Sequence, residues 1–200
     1  MIMCGSPAAC TMSFQAGEVH LIAGCMFAGK THALIKGIKT YMDTFNDVPI
    51  VVKHASDRRY VQTANLCTHS GYTISCVCLD RLSDVFELDG FGTSRALFID
   101  EGQFFPDLHE VAVCCAEKHN MFVCIASLDT DYKCRVFPEV AKVFGSASMV
   151  TKLRAKCVVC AAPARYSKKK DMSRKENVGG SDLYEAVCWS HMWAASTGTV

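Results

Sequence analysis

The sequence lacks the long apolar runs and the one-sided charge that mark membrane proteins and many nucleic-acid-binding proteins. No apolar run approaches the roughly 18 residues that span a bilayer. Its 21 basic and 20 acidic residues give a formal charge of +1, which predicts neither a membrane partner nor a nucleic-acid partner. Residues 1–14 contain no basic region ahead of an apolar core, so we expect no secretory signal and a cytoplasmic protein.

Composition excludes a disordered or collagen-like chain, because half of the 200 residues are hydrophobic and 20% are charged. Thirteen cysteines are many, but an odd number without a secretory signal does not describe a disulfide scaffold. Free cysteine packs as a small hydrophobe, so most of these residues are predicted to lie in the core. Five that fall in apolar runs are Cys76, Cys78, Cys114, Cys115 and Cys124.

Apolar runs alternate with helical patterns up to residue 153, which predicts βα units and an α/β fold with a mainly parallel, covered sheet. The predicted strands cover residues 18–23, 50–52, 73–79, 96–100, 121–127 and 149–153. The predicted helices cover residues 30–45, 84–88 with Ser83 as a cap, 106–119 and 138–144. Residues 54–72 are polar and are predicted to form a loop.

The character of the chain changes after Leu153. Six of the 21 basic residues fall between Arg165 and Lys175, and cysteine and histidine residues flank this stretch. The predicted organisation is therefore a loose leader over residues 1–14, a main domain over 15–153 and a small C-terminal domain over 154–200.

Residues 24–31, Gly-Cys-Met-Phe-Ala-Gly-Lys-Thr, match the phosphate-loop pattern G-x-x-x-x-G-K-[ST] in full. In such a loop backbone N–H groups surround phosphate oxygens, and the start of the next helix favours negative charge. Lys30 is predicted to reach the β- and γ-phosphates of a nucleoside triphosphate, and Thr31 to ligate Mg²⁺. The predicted nucleotide-binding residues are Gly24, Cys25, Met26, Phe27, Ala28, Gly29, Lys30 and Thr31.

The apolar run over residues 96–100 ends in Asp100, which Glu101 follows. Open α/β sheets bind ligands at the carboxyl ends of their strands, so both carboxylates are predicted to lie at the nucleotide site. Asp100 is expected to hold magnesium, directly or through water. Glu101 is the candidate general base or the group that orients the nucleophile.

Two short motifs, Cys157-x-x-Cys160 and Cys188-x-x-His191, are separated by 27 residues and could close a tetrahedral zinc site. The surrounding region has few large aliphatic side chains, and a small domain without a core usually needs a metal or a disulfide. The alternative is that the thiols pack as core residues. Four protein ligands would leave no open position, so we expect structural rather than catalytic zinc.

The basic stretch between these motifs has two interpretations. It could be a solvated loop without a ligand, which is the commonest meaning of a charge run. A phosphate-loop domain with a basic zinc unit could also be a nucleic-acid-binding ATPase, although only Tyr166 and Tyr184 flank the run to stack on bases.

Five motifs in this order resemble the type II thymidine kinases, the tetrameric family of animal cells, many bacteria and several large DNA viruses. The resemblance extends from about Glu18 to Trp193. The motifs are residues 24–31 already quoted, Ser-Asp-Arg-Arg-Tyr at 56–60, Cys-Thr-His at 67–69, Asp-Glu-Gly-Gln-Phe-Phe at 100–105 and Val-Gly-Gly-Ser-Asp-Leu-Tyr at 178–184.

The resemblance implies a P-loop NTPase (RecA-like) domain that carries a small zinc-binding lasso domain. It implies ATP-dependent phosphorylation of thymidine at its 5′-hydroxyl to give thymidine monophosphate, a step of deoxynucleoside salvage for DNA synthesis. Mg²⁺, structural Zn²⁺, a cytoplasmic homotetramer and feedback by thymidine triphosphate are expected with it, and no nucleic-acid or membrane partner. The alternatives are another deoxynucleoside kinase and a nucleic-acid-binding ATPase.

By the same resemblance, Glu101 is the general base, while Lys30 and Arg59 are cations near the transferring phosphoryl group. Gly102 and Gln103 belong to the segment that lines the nucleotide site. Phe104 and Tyr132 would enclose the thymine ring, and the residues expected near its methyl group are Met26, Leu128, Ser167 and Tyr184. The lasso loop, expected to hold the base mainly through backbone groups, comprises Lys175, Glu176, Asn177, Val178 and Gly179.

The sequence departs from the family pattern at four places. Asp-Thr-Asp-Tyr at 129–132 replaces a frequent Asp-Gly-Thr-Phe, which affects ring stacking and loop shape. Cys25 replaces a frequent proline, and His191 replaces a frequent fourth cysteine. The last departure is in the lasso, where Lys175 and Asn177 occupy positions that are often aliphatic. The carboxylate, lysine and arginine expected at the active site are all present.

Overall fold

A computed structural model of the chain describes residues 13–56, 65–67, 73–173 and 179–194. Its strands are β1 (Val19–Gly24), β2 (Ile50–His54), β3 (Asn65–Cys67), β4 (Thr73–Ser75), β5 (Val77–Leu79), β6 (Ala96–Asp100), β7 (Phe122–Leu128), β8 (Met149–Leu153), β9 (Ala155–Lys156), β10 (Pro163–Ala164), β11 (Tyr166–Lys169) and β12 (Tyr184–Val187). Its α-helices are α1 (Lys30–Phe45), α2 (Leu108–Glu117), α3 (Pro138–Ser146) and α4 (Trp189–Met192). Short 3₁₀ helices cover Leu82–Glu87, Phe91–Thr93 and Gly102–Phe104.

Six strands form the central sheet in the order β5-β2-β6-β7-β1-β8. Every neighbouring pair in this sheet is parallel. The predicted α/β class with a mainly parallel sheet is therefore confirmed. Within the described residues, no helix combines the length and apolar character needed to cross a membrane.

Both faces of the sheet are covered, because successive strand residues point to opposite sides and both sets are apolar. In β6, Phe98 belongs to the cluster that packs with Leu34 and Ile38 of α1. Its neighbour Ile99 belongs to the opposite cluster, which contains Leu108 of α2. The phosphate-loop helix thus lies on one face of the sheet, while α2 and α3 lie on the other.

The N-terminal edge of the described chain is in contact with this core. The ring of Phe14 makes edge-to-face contacts with Tyr41 of α1 and Phe122 of β7, at centroid distances of 5.5 and 5.1 Å. Aromatic pairs prefer this geometry, so Phe14 adds apolar area to the α1 face of the sheet.

The C-terminal lobe, defined here as residues 155–173 and 179–194, contains two antiparallel ladders, β9–β10 and β11–β12, together with α4. Its small apolar cluster includes Ala164 and Val187 and extends to Cys25 of the phosphate loop. The lobe therefore packs directly on the phosphate-loop segment that follows β1.

One strand prediction and one loop prediction were wrong. The predicted strand 73–79 is divided at Cys76: β4 pairs antiparallel with β3, whereas β5 joins the central sheet beside β2. The predicted loop 54–72 contains β3. An alternating pattern does not specify the partner of a strand, so the division was not visible in the sequence.

The predicted helix 84–88 is a 3₁₀ helix over Leu82–Glu87, and Ser83 does not cap it. Instead, the Asp107 carboxylate accepts hydrogen bonds from the backbone N–H groups of Leu82 and Ser83, both at 3.0 Å. Asp107 precedes α2, which is shorter at both ends than the predicted helix 106–119. One carboxylate thus joins the starts of two helical segments.

Cysteine burial follows the prediction in part. Cys76, Cys115 and Cys124 are buried, and burial raises the pKa of the Cys115 thiol to about 12. The two exceptions among these five are Cys78, which is exposed on the outermost strand β5, and Cys114, which is half-buried on α2.

Candidate active site

The phosphate loop connects β1 to α1 in the way the motif requires. Gly29 adopts a left-handed conformation (φ 84°) immediately before the helix, which glycine allows without a steric penalty. A Cβ atom on Gly24 would lie 2.8 Å from the carbonyl oxygen of Leu153, so only glycine fits against β8. The Lys30 ammonium donates to the carbonyl oxygen of Cys25 at 2.9 Å. This contact places the Lys30 charge over the backbone that would surround a phosphate.

Thr31 and Asp100 meet at the carboxyl ends of β1 and β6. The Thr31 hydroxyl lies 3.0 and 3.2 Å from the two carboxylate oxygens. Burial, with a further contribution from the neighbouring Glu101, raises the pKa of Asp100 to about 7. Burial lowers the pKa of Lys30, although both carboxylates oppose this shift. Hydroxyl and carboxylate oxygens suit Mg²⁺, so these two residues fit the ion the motif implies.

Glu101 follows β6 in a left-handed conformation (φ 54°, ψ 41°), which is uncommon for a residue with a side chain. Gly102 then passes so close to β7 that a Cβ atom there would lie 2.8 Å from Ile125. Such strain persists where the surrounding structure holds it, and it concentrates at functional sites. The turn brings the Glu101 side chain into the wall of a cavity beside the phosphate loop.

Gln103 connects this carboxylate to the end of β7. Its amide nitrogen donates to Glu101 Oε2 at 2.5 Å. Its amide oxygen accepts from the hydroxyl of Ser127 at 3.1 Å and from the backbone N–H of Leu128 at 2.9 Å. The Gln103 side chain is buried, so these three contacts determine its position.

The cavity has a volume of about 250 Å³. This is slightly below the range for small-molecule sites, which begins at about 300 Å³. It brings together most of the residues that were predicted from the sequence to bind the nucleoside: Met26, Phe104, Leu128, Tyr132, Ser167, Gly179 and Tyr184. Glu101 and Gln103 also line it. Sequence reasoning missed four further lining residues, Thr130, Asp131, Arg135 and Phe137.

Two tyrosine rings line the cavity, and one of them lies against a buried cation. The rings of Tyr132 and Tyr184 lie 6.3 Å apart. The buried Lys169 places its ammonium 5.1 Å from the centre of the Tyr132 ring, within the range of a cation–π interaction. Asp131, beside Tyr132, forms an ion pair with Arg135 at 2.7 Å. The segment that departs from the family pattern is therefore held by charged partners.

The phosphate loop is bonded to the C-terminal lobe at two points. The backbone N–H of Met26 donates to the hydroxyl of Ser167 on β11 at 2.9 Å. The Cys25 thiol lies 3.6 Å from the carbonyl oxygen of Ala164, as a weak donor. The same loop thus borders both the predicted phosphate site and the cavity.

The Cys/His motifs converge in the lobe, where the ligand atoms of Cys157, Cys160, Cys188 and His191 all lie within 4.8 Å of one another. The Cys160 and Cys188 sulfurs are 3.7 Å apart, and His191 Nδ1 is 3.5 Å from the Cys157 sulfur. Tetrahedral zinc with ordinary bond lengths places two sulfurs about 3.8 Å apart, and sulfur and nitrogen about 3.5 Å apart. The four residues could therefore hold a metal ion of this type.

The alternative of core packing does not explain this cluster, because Cys160 is exposed. Burial raises the pKa of the Cys157 thiol, but hydrogen bonds from the surrounding backbone outweigh it and lower that pKa to about 6. Zinc binds the thiolate form of cysteine, so a lowered thiol pKa favours metal binding.

Several predicted site residues lie outside the described part of the chain. They are Arg59, Lys175, Glu176, Asn177 and Val178. Gly179, the last predicted lasso residue, is described, and a Cβ atom there would overlap the side chain of Leu183.

Comparison with known proteins gives one consistent match. The family described as thymidine kinase matches residues 17–192. A thymidine kinase of Oryza sativa subsp. japonica is 36% identical over 179 residues, which are 88% of this chain and 66% of the rice protein. Thymidine kinase a of Arabidopsis thaliana is 36% identical over 179 residues, which are 88% of this chain and 74% of the Arabidopsis protein. A thymidine kinase of Rabbit fibroma virus (strain Kasza) is 35% identical over 183 residues, with 88% and 97% covered. The chain therefore spans just under two thirds of the rice protein and nearly all of the viral one.

Proposed function

The chain belongs to the type II thymidine kinase family, and from this premise we propose that it transfers the γ-phosphoryl group of ATP to the 5′-hydroxyl of thymidine. The product would be thymidine monophosphate, a precursor for DNA synthesis made by salvage of the nucleoside. The observation that supports the proposal is that the phosphate loop and the candidate base line the same cavity. Met26 of the phosphate loop and the Glu101 carboxylate both line the cavity, so a nucleoside there would lie beside the phosphate-binding loop.

Glu101 is the proposed general base. Its carboxylate would accept the proton of the 5′-hydroxyl as the hydroxyl oxygen attacks the γ-phosphorus and the bond to the β-phosphate oxygen breaks. The left-handed backbone and the hydrogen bond from Gln103 support this role, because they hold the carboxylate in the cavity wall.

Charge on the phosphates would be balanced by Lys30 and by Arg59. Lys30 would leave the Cys25 carbonyl oxygen and bond to the β- and γ-phosphates, which are better acceptors for an ammonium group. The Thr31 hydroxyl and the Asp100 carboxylate are the proposed Mg²⁺ ligands. When bound, the ion neutralises phosphate charge.

The thymine ring is proposed to lie between Phe104 and Tyr132, with its methyl group toward Met26, Leu128, Ser167 and Tyr184. Support for this position comes from the fact that all six residues line one cavity. The lasso residues 175–179 are proposed to hold the base mainly through backbone groups. Cys157, Cys160, Cys188 and His191 are proposed to hold one structural zinc ion that anchors this lobe.

Assembly and regulation follow the family expectation and form part of the same proposal. We propose a homotetramer in the cytoplasm that is inhibited by thymidine triphosphate. That nucleotide carries both a thymidine unit and a triphosphate, so it could occupy the cavity and the phosphate loop together.

A nucleoside panel tests the proposed reaction. The purified protein is incubated with ATP, Mg²⁺ and single nucleosides, and products are identified by mass. We expect a monophosphate from thymidine and ATP consumption in proportion to added thymidine. Phosphorylation of a different deoxynucleoside alone would identify another kinase of this fold. ATP hydrolysis stimulated by a polynucleotide, with no nucleoside product, would support the nucleic-acid-binding ATPase instead.

A further inference from the structure

Gln103 joins the Glu101 carboxylate to the end of β7. Its side chain is 8% exposed and bridges the carboxylate to two groups at the end of that strand. Those groups are the Ser127 hydroxyl and the Leu128 backbone N–H. Because the amide is buried and both of its polar atoms are hydrogen-bonded, these partners determine its position.

The orientation of the amide is determined by its partners. A backbone N–H can only donate, so the Gln103 atom that faces Leu128 must be the oxygen. The amide nitrogen then faces Glu101, where it can only donate, and the carboxylate must accept. Rotation of the amide by 180° would place its nitrogen against the Leu128 N–H and its oxygen against the Glu101 carboxylate, so two of the three hydrogen bonds would break. The carboxylate is therefore held by a group with a single allowed orientation.

We propose that Ser127 and Gln103 form a positioning pair that fixes the Glu101 carboxylate for proton transfer; this rests on the proposed function of Glu101 as the base. Gln103 contacts the proposed base itself, at Glu101 Oε2. Ser127 is fully buried and its hydroxyl has two acceptors within reach, Gln103 Oε1 at 3.1 Å and the carbonyl oxygen of Leu128 at 2.9 Å. Its action on Glu101 passes through Gln103.

The pair also connects substrate recognition to catalysis. Leu128 lines the cavity with its side chain and holds Gln103 with its backbone N–H. A displacement of Leu128 by a poorly fitting base would therefore move Gln103, and with it the carboxylate. Misplacement of a reacting group by about 1 Å can cost about 100-fold in rate. The pair thereby makes turnover sensitive to the fit of the base.

The first test replaces Gln103 with glutamate. In its ionised form the new carboxylate can still accept from Ser127 and Leu128, but it cannot donate to Glu101 and it repels that carboxylate. We expect Gln103→Glu to lower kcat by about 100-fold, with KM for thymidine and for ATP changed less than threefold. A kcat within threefold of the unaltered protein would overturn the proposal, and so would a loss confined to KM.

The second test is a double-mutant cycle that separates positioning from general packing. Ser127→Ala removes one of two donors to the Gln103 amide and should lower kcat by about 3- to 10-fold. In a Gln103→Leu background the same substitution should have no further effect on kcat, because the group it acts through is gone. Ser127→Cys keeps the size and a weak donor, so its kcat should lie between those of serine and alanine.

Ser146→Ala is the matched control, since this serine is exposed at the end of α3 and bonds only to helix carbonyl oxygens. It should leave kcat unchanged. Equal losses from Ser127→Ala in both backgrounds would overturn the positioning pair while the proposed reaction stands. Absence of any thymidine phosphorylation by the unaltered protein would instead contradict the proposed function.

Discussion

The backbone N–H of Met26 and the hydroxyl of Ser167 are 2.9 Å apart, and this hydrogen bond joins the phosphate loop to β11 of the C-terminal lobe. The two residues are 141 positions apart in the chain. Ser167 also lines the cavity and is buried. The loop that would bind the donor phosphates is therefore shaped in part by the lobe that carries the metal cluster.

The first prediction concerns this hydrogen bond. Ser167→Ala should leave the Met26 N–H without its partner, at a cost of about 1–3 kcal/mol. We expect the Kd of ATP to rise by about fivefold or more, because the loop is no longer held in its binding conformation. Titration calorimetry with a non-hydrolysable ATP analogue measures it. Ser167→Thr keeps the hydroxyl and should retain most of the affinity, and an unchanged Kd in Ser167→Ala would contradict the role of this bond.

The second prediction concerns the base. Glu101→Gln preserves size and a hydrogen-bonding side chain but removes the proton acceptor. Turnover should fall by roughly 10²–10⁴-fold, the usual range for general base catalysis, while thymidine and ATP still bind. Single-turnover kinetics and equilibrium binding together distinguish the two effects. A decrease of less than tenfold would show that Glu101 has another role.

The third prediction concerns the metal cluster. The purified protein should carry about one zinc ion per chain, and a chelator should unfold the C-terminal lobe because metal binding and folding are coupled in small domains. The only two tryptophans of the chain, Trp189 and Trp193, flank the ligand His191. Tryptophan fluorescence therefore reports this lobe alone. A zinc-free preparation with unchanged fluorescence and full activity would contradict a structural metal.

The fourth prediction concerns the lasso. Gly179→Ala should raise KM for thymidine and leave ATP binding and zinc content unchanged, because the added Cβ overlaps the buried Leu183. Gly145→Ala is a suitable control: it lies in α3 and has open space at its Cβ. Lys175→Val and Asn177→Val should each change thymidine affinity by less than about 1 kcal/mol, because the backbone N–H and C=O groups are the same whatever side chain is attached. A large loss in Lys175→Val beside a silent Gly179→Ala would show that side chains, not backbone, hold the base.

The fifth prediction concerns stability and pH. Burial raises the pKa of Asp107, but the backbone hydrogen bonds from Ser83 and Leu82 outweigh it, so the folded-state pKa is lowered. The resulting stabilisation is present above the unfolded-state pKa of about 3.9 and is lost as pH falls through the folded-state pKa. Asp107→Asn should cost roughly 1–3 kcal/mol at pH 7 and progressively less in acid.

Urea unfolding of both proteins between pH 7 and pH 3 measures this difference. Asp89→Asn, a substitution at an exposed aspartate, is the control and should leave stability nearly unchanged. A cost for Asp107→Asn that stays constant down to pH 3 would mean that packing, not the charge, accounts for the effect.

Sequence periodicity correctly predicted helices and strands whose boundaries do not depend on which segments they pack against. Helix α1 begins at Lys30 because the motif and the apolar spacing specify the same boundary, and the structure has it there. The meeting of Thr31 with Asp100 was also predictable, since parallel strands present their carboxyl ends at one edge.

Contacts between distant segments were not predictable in the same way. Asp107 caps a turn that begins 25 residues before it in the chain, and no local pattern contains both partners. Ser127 stood at the end of a predicted strand, which is the signal that could have placed it at the site. Its contact with Gln103 depends on how the 3₁₀ turn after β6 packs against β7, which only the folded chain specifies.

The position of β1 has a consequence for biosynthesis. This strand is made before every other strand of the sheet, yet its two neighbours in the sheet are β7 and β8, the last two to be made. Gly24, at the start of the phosphate loop, packs against the carbonyl oxygen of Leu153 at the end of β8. A nascent chain can therefore pair β2 with β6 early, but β1 stays unpaired until β7 has emerged, and its second edge stays open until β8 has emerged. The phosphate-loop side of the sheet is the last to be completed, and a chain released before β8 would lack that edge strand.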